Sequence, residues 1–555
     1  MNKRVLKEWV FRLLGKEPDA IVVSMCAGEA QLCEAMLAEV QSLVPDRRHF
    51  AVRLQSDGPL RVEGATLLEV DPTRARQQLR QAFQAYRIGL MPVMWTPGHA
   101  LCRAALGFAP RKLLVYNTAL ERHHARLTQP LASWLFLRGV PLDRIYLRPS
   151  WLVPWKADRS TWPTRFRELP ARGPRAGFRR VAVLTPYSPY PLSHGGAVRM
   201  FALLTEAARD FDVYLFWFSQ GEEPGPLRDL CAGLFSCDLP RYREPRWATV
   251  EPPEAREFWS PALQVDLDRL CRERGVELVQ VEYTQLGSFR GNVLVEHDIT
   301  FDLYRQIYER EPTRGRWWDW RRWVRFEQKA ARRFPRVVVM SDKDAKLLPG
   351  ADTAVIPNGV DLQRFQPLPE SDRPELLFVG SFRHFPNIAA FRFFTEEVWR
   401  RILAAVPEAR LTVVGGPDPL LYWKSHVESP AWPEHPRTEI LGFVEDVRPL
   451  YERAQVVLVP TTVSAGTNLK VLEAMAMQRA VVSTTSGCAG LGVKHGVQLL
   501  IADGAAAFGD AVVALLKDRD FRETVACSGR KHVERHFDWR ELGKLQKKLW
   551  QDLLP

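Results

Sequence analysis

Lys470 and Glu473 are the residues of this chain whose types and spacing suggest chemistry first. They lie three apart inside the stretch GTNLKVLEAMAM, which puts them on one helical face. The run Val456-Val457-Leu458-Val459 before them reads as a buried parallel strand, and Val481-Val482-Ser483-Thr484 after them begins the next. A polar loop from Thr461 to Gly466 joins strand to helix, with Thr467 or Asn468 as the expected cap of a helix running to about Met477. Backbone N–H groups at such a helix start form an anion site, and Gly466 lets a ligand come close to the main chain. An ammonium beside that site suits a diphosphate, and a carboxylate one turn on suits ribose hydroxyls. The same spacing also fits an ordinary surface ion pair. Gly195-Gly196 sit at another strand-to-helix turn, after Val181–Pro186 and before a helix carrying Arg199, where they allow close approach of a ligand. His297 follows the strand Asn292–Glu296, a position that structural histidines also occupy.

Taken together, GTNLKVLEAMAM, the following AVVSTTSG and the Gly195-Gly196 loop resemble the retaining, family-4 glycosyltransferases of the GT-B fold. That family marks its nucleotide-sugar site with a Glu-x7-Glu pair. Here Glu473 is the second acid and Ala465 stands at the first, as in a subset where a Gly-rich loop supplies backbone contacts. The resemblance implies that Gly195 and Gly196 pack over the donor phosphates and acceptor, and that His297 hydrogen-bonds the donor sugar. It places Gly380 and Ser381, after the strand Leu376–Val379, against the distal phosphate, with Arg383 adding positive charge. Gly442, Phe443 and Val444 are expected to contact the base, and Pro357-Asn358-Gly359-Val360-Asp361 to form the interdomain crossover. The implied catalytic set is His297, Lys470 and Arg383. Gly466, Thr467, Asn468 and Glu473 complete the donor site. No metal ligand set and no cofactor is expected; the donor is a UDP- or GDP-type sugar, and configuration is retained by front-face attack assisted by the leaving phosphate.

The elements that must position these residues need more than one core. The 555 residues suggest three domains or so, with 46% hydrophobic and 26% charged content typical of a globular chain. We expect an α/β fold: two Rossmann-like domains facing a cleft, plus an N-terminal Rossmann-like extension. The boundaries read as 1–165 for the extension, 166–180 for a Pro/Gly-rich linker, 181–358 for the acceptor domain and 359–535 for the donor domain. Residues 536–555 read as a helix returning to the acceptor domain. His123-His124 are expected to cap or line a surface helix.

A net charge of +12 favours anionic partners, but no nucleic-acid module appears, so nucleic acid is not expected. Eight cysteines without CxxC or metal spacing fit buried thiols in a reducing compartment. Charges throughout residues 3–19 argue against a signal peptide, and no run approaches the ~20 apolar residues of a membrane span. Residues 1–14 could form an amphipathic helix, either interfacial or packed on their own domain. The Trp/Arg-rich stretch 130–162 suits a membrane interface or a domain seam. Residues 314–334 carry four tryptophans and seven arginines, for which nucleic acid, an anionic membrane and a solvated helix compete.

The expected function is therefore transfer of a sugar from a nucleotide-diphosphate sugar to a glycan or lipid-linked acceptor. The setting would be cell-surface polysaccharide or glycolipid synthesis, in the cytoplasm or at the inner face of the membrane. A non-catalytic GT-B scaffold and a sugar-nucleotide epimerase of the same fold are the rival readings.

Overall fold

The computed structural model describes residues 20–45, 47–108, 112–118, 120–125, 130–140, 165–192, 194–219, 221–238, 251–310, 312–426, 432–463 and 466–554. The amphipathic segment 1–14, most of the stretch 130–162 and Ala465 lie outside them. The chain forms two compact units, the first made mainly of residues before Pro154 and the second of most of the remainder.

In the first unit the strands are β1 (Ile21–Met25), β2 (His49–Leu54), β3 (Thr66–Val70), β4 (Ile88–Met94), β5 (Leu113–Tyr116) and β6 (Arg122–His124). They form one sheet in the order β3-β2-β1-β4-β5-β6, parallel except for β6. Side chains of a strand alternate between faces, so Ile21, Val23 and Met25 enter one core while Val22 and Cys26 enter the other. Helix Ala30–Leu43 covers the second face with Leu32, Cys33, Met36 and Val40; helices Ala75–Phe83 and Ala100–Phe108 cover the first. A sheet buried on both sides explains the near-continuous apolar runs. The expectation of a helix at His123-His124 is corrected: both lie on β6, where buried His123 meets the Ser133 hydroxyl at 3.1 Å.

The second unit holds two sheets. One contains β7 (Arg167–Leu169), β8 (Arg179–Thr185), β9 (Phe211–Ser219), β10 (Gly233–Asp238), β11 (Leu278–Glu282), β12 (Val293–Glu296), β13 (Arg336–Val339) and β14 (Thr353–Val355). Their order is β14-β13-β12-β11-β8-β9-β10-β7, with only β7 antiparallel. The other contains β15 (Glu375–Val379), β16 (Arg410–Val414), β17 (Thr438–Leu441), β18 (Val456–Val459), β19 (Ala480–Ser483) and β20 (Leu500–Ile501), all parallel in the order β17-β16-β15-β18-β19-β20. Residues 166–180, read as a linker, are built into the first of these sheets. There β7 pairs with β10, and the buried carboxylate of Asp212 takes hydrogen bonds from Arg172 (2.7 Å) and Arg175 (3.0 Å). Those bonds hold Asp212 below the usual carboxylate range against the opposing effect of burial.

The chain crosses between the two sheets at residues 356–360 and again near 537–539. Val360 N–H donates to the Phe537 carbonyl at 2.7 Å. Helix Trp539–Leu553 then lies along helix Gly195–Ala207, with Trp550 buried and its indole N–H on Gln280 at 2.7 Å. Arg199, 1% exposed, fastens the crossover by donating to the carbonyls of Ile356 (2.8 Å) and Pro357 (2.6 Å) and to the Asn358 side chain (3.2 Å). Burial lowers its pKa to about 10. Arg199→Met should leave those acceptors unpaired, lowering stability by about 2–4 kcal/mol. A melting temperature several degrees lower would register this; an unchanged one would mean water replaces the guanidinium.

Candidate functional site

The carboxyl ends of β15, β16, β17 and β18 come to one edge of their parallel sheet, where open α/β sheets bind ligands. Gly380 follows β15, and a Cβ there would press on the Asn387 side chain at 2.7 Å, so only glycine lets Asn387 close in. Asn387 donates to the Ser381 carbonyl at 2.9 Å and accepts from Lys470 Nζ at 2.9 Å. Lys470 also sits over the Phe378 ring at 5.5 Å. Its ammonium is half-buried, and desolvation lowers its pKa to about 8. Glu473, half-buried one turn on, accepts from the Tyr451 hydroxyl at 2.9 Å, and burial raises its pKa to about 7. Each carries its own partner, so the two are not a solvated surface ion pair.

Helix Leu469–Ala476 begins without the expected side-chain cap. Asn468 at the cap position makes no capping bond, and its amide instead donates to the Gly487 carbonyl at 2.8 Å. The Thr467 hydroxyl accepts from Asn358 at 2.7 Å. Both side chains thus pull away from the first turn and anchor it to the crossover and to the loop after β19. This leaves the first turn's N–H groups without that cap. Gly466, at φ +69°, could not carry a side chain: its Cβ would press on the His297 carbonyl at 2.7 Å.

The facing wall comes from the β8–β14 sheet. His297 at the end of β12 holds Glu282 at the end of β11 across 2.6 Å, with 8% and 6% of their side chains exposed. The His297 ring stacks on Tyr283 at 3.8 Å with 2° between planes. Tyr283 itself has φ +72°, a strained value for a non-glycine residue, and hydrogen-bonds Tyr187. A Cβ at Gly196 would run into both tyrosine hydroxyls, so Gly196 is what admits this stack. Gly195 lies against Leu469, with a Cβ reaching that side chain at 3.0 Å.

Positive charge gathers between the two walls. His194 caps its helix by accepting from Ala197 N–H at 3.3 Å. Solvent reaches its ring, yet the cleft strips away hydration and lowers its pKa to about 4, helped by His384, His297 and Arg383. His384 is lowered by the same desolvation, with Arg383 and Lys470 beside it. Arg383 and Lys470 thus set up a positive potential in the gap that disfavours protonation of both imidazoles, which is the electrostatic condition for binding an anion. Gly442, Phe443 and Val444 continue the same edge beyond β17; Phe443 is 59% exposed. A cavity of about 510 Å³ opens between helix Thr300–Arg310 and the loops after β18 and β19, lined by Asp302, Arg305, Arg310, Lys343, Thr462 and Ser486 among others. Arg310 reaches across it to the Thr462 hydroxyl at 2.8 Å.

The structure thus groups Lys470, Arg383, Gly380 and Ser381, sets His297, Gly195 and Gly196 opposite with Gly466 reaching across to His297, and keeps Glu473 one turn behind. Asn387, His384, Asn358, Glu282, Tyr283 and Tyr187 were missed as site residues. The one available signal was that Glu282 and His297 end neighbouring strands.

Two family profiles match the second unit. "Glycosyltransferase Family 4" matches residues 194–364 and "Glycosyl transferases group 1" matches residues 373–518, together more than half of the chain. No curated protein matches the chain by sequence. Among solved structures, a sucrose-phosphate synthase from Thermosynechococcus elongatus aligns with TM-score 0.52 and 20% identity, over 68% of this chain and 99% of that one. WaaG, a glycosyltransferase involved in lipopolysaccharide biosynthesis, aligns with TM-score 0.48 and 16% identity, over 66% of this chain and 99% of that one. HepE of Anabaena with UDP and glucose aligns with TM-score 0.47 and 14% identity, over 67% of this chain and 99% of that one. The chain belongs to the GT-B glycosyltransferases of the family-4, group-1 type. Its reaction class is glycosyl transfer from a nucleotide sugar.

Proposed function

We propose that this protein moves a hexose, with retention, from a UDP- or GDP-type sugar to a glycan or lipid-linked acceptor. Cell-surface polysaccharide or glycolipid synthesis on the cytoplasmic side is the setting we infer. One observation carries the donor assignment: Lys470 is held by Asn387 beside Ser381, with His384 and Arg383 close by, at the start of a helix lacking a side-chain cap. Breaking the anomeric C–O bond puts charge on the leaving diphosphate. Those groups stabilise it as it forms. His297 receives the sugar on the opposite wall, and the cavity along helix Thr300–Arg310 receives the acceptor. In front-face attack the leaving phosphate oxygen takes the acceptor proton, so no carboxylate nucleophile is required. Cations supplied by the chain itself support a reaction without a metal, and we expect turnover to be unaffected by a chelator.

A thermal-shift panel of UDP, GDP, ADP and their common sugars tests the assignment, because a ligand bound only to the folded state raises the melting temperature by mass action. One nucleotide and its sugars should stabilise the wild type and fail to stabilise Lys470→Ala. Silence across the panel at millimolar ligand would favour a GT-B scaffold that has lost its donor.

A further inference from the structure

We propose that one face of helix Arg314–Arg333 is a docking surface for an anionic lipid bilayer. The inner face of this 20-residue helix is fully used. Trp323, Phe326, Ala330 and Ala331 enter the core, and Asp319 pairs with Arg322 at 2.8 Å. Glu327 accepts from the N–H groups of Thr300 (2.9 Å) and Phe301 (2.7 Å), fixing the start of the neighbouring helix Thr300–Arg310. Both acidic residues of the helix therefore point inward and are buried.

The outer face is different in kind. Arg314, Arg321, Arg325 and Arg332 are all exposed, and spacings of seven, four and seven keep each within about 20° of a common line on a helix turning 100° per residue. The row is roughly 27 Å long at 1.5 Å per residue. Exposed Lys329 flanks it on one side and Trp317, 44% exposed, on the other. Among the described residues, none of these five cations meets a carboxylate. A folded surface normally intersperses both signs of charge; a straight cationic row with an aromatic beside it is what a flat anionic interface recruits. Its charges lie within one Debye length of any surface the helix touches, and the indole belongs at headgroup depth. No helix among the described residues is long and apolar enough to cross a membrane, so contact would be peripheral and would weaken with salt.

The test is co-sedimentation of the full chain with vesicles, either phosphatidylcholine alone or phosphatidylcholine mixed with phosphatidylglycerol. Wild type should bind only the mixed vesicles and release as salt rises. Arg321→Glu/Arg325→Glu, with an unchanged melting temperature, should bind at least about tenfold more weakly. Trp317→Ala should bind several-fold more weakly while keeping the salt dependence. Equal binding by the charge-reversed variant would overturn the proposal. So would tighter binding of the wild type to a DNA duplex than to the mixed vesicles.

Discussion

Replacing Lys470 with alanine is expected to lower kcat/KM for the nucleotide sugar by about 10²–10³-fold, the usual loss when one preorganised charge leaves a developing oxyanion. The ammonium is placed for this by Asn387 at 2.9 Å, and Asn387 is itself placed by the missing side chain of Gly380. Desolvation has already lowered its pKa to about 8. In the free enzyme the ammonium therefore loses its proton as pH rises through 8, and kcat/KM should fall about tenfold per pH unit above that point. Lys470→Ala should abolish this alkaline limb along with the activity, whereas Lys470→Arg should remove the limb and keep part of the activity. Folding stability moves the other way. The unfolded chain holds this proton up to its ordinary pKa near 10.5 while the folded chain releases it from about 8, so the buried ammonium opposes folding fully below about 8 and that cost fades as pH rises towards 10.5. The alanine variant should then melt no lower than wild type, which separates loss of binding from loss of fold. Activity within threefold of wild type would place the diphosphate elsewhere.

What could be read in advance depended on how local the cause was. The β18–helix–β19 unit was legible because buried parallel strands leave unbroken apolar runs and a helix changes their period to 3.6. The cap was misread because Asn468 and Thr467 bond Gly487 and Asn358, 19 and 109 residues away, rather than the next turn. Residues 166–180 look like a linker because they are rich in Pro, Gly and Arg; the three residues of β7 are a strand only by pairing with β10. His123 reads as a polar surface residue until Ser133 gives it a buried partner. The same rule governs the site. Lys470 and Glu473 declare themselves through helical spacing, whereas Glu282 reaches His297 only because β11 and β12 are adjacent, with Glu282 paired to Val295. Asn387 could be read as opening a helix, but its grip on Lys470 spans 83 residues.

That Glu282–His297 contact carries the second large effect: His297→Ala should lower kcat/KM by about 10²-fold, and substitutions at Glu282 should reveal what the ring does. The carboxylate faces Nε2 across 2.6 Å and so favours a proton there, an arrangement that in a singly protonated ring makes Nδ1 the acceptor. The stack on Tyr283 at 3.8 Å fixes the ring plane, and the positive φ of Tyr283 stores backbone strain to keep it there. A ring so held can accept a sugar hydroxyl, a role that needs orientation and the correct tautomer but no charge on residue 282. Glu282→Gln, whose amide oxygen can still accept from Nε2, should therefore stay within about tenfold of wild type in kcat. Glu282→Ala should approach the loss of His297→Ala, because the tautomer is no longer chosen. If instead His297 removes the acceptor proton, an imidazolium forms in the transition state and the buried negative charge becomes essential. Glu282→Gln would then be as damaging as His297→Ala, as when the carboxylate of a Ser-His-Asp triad is neutralised. The two outcomes also differ in stereochemistry. A hydroxyl-accepting ring accompanies front-face attack and a retained anomer, whereas a histidine base accompanies attack from the far side and an inverted one. Anomeric proton couplings of the product, read beside the Glu282→Gln rate, decide between them.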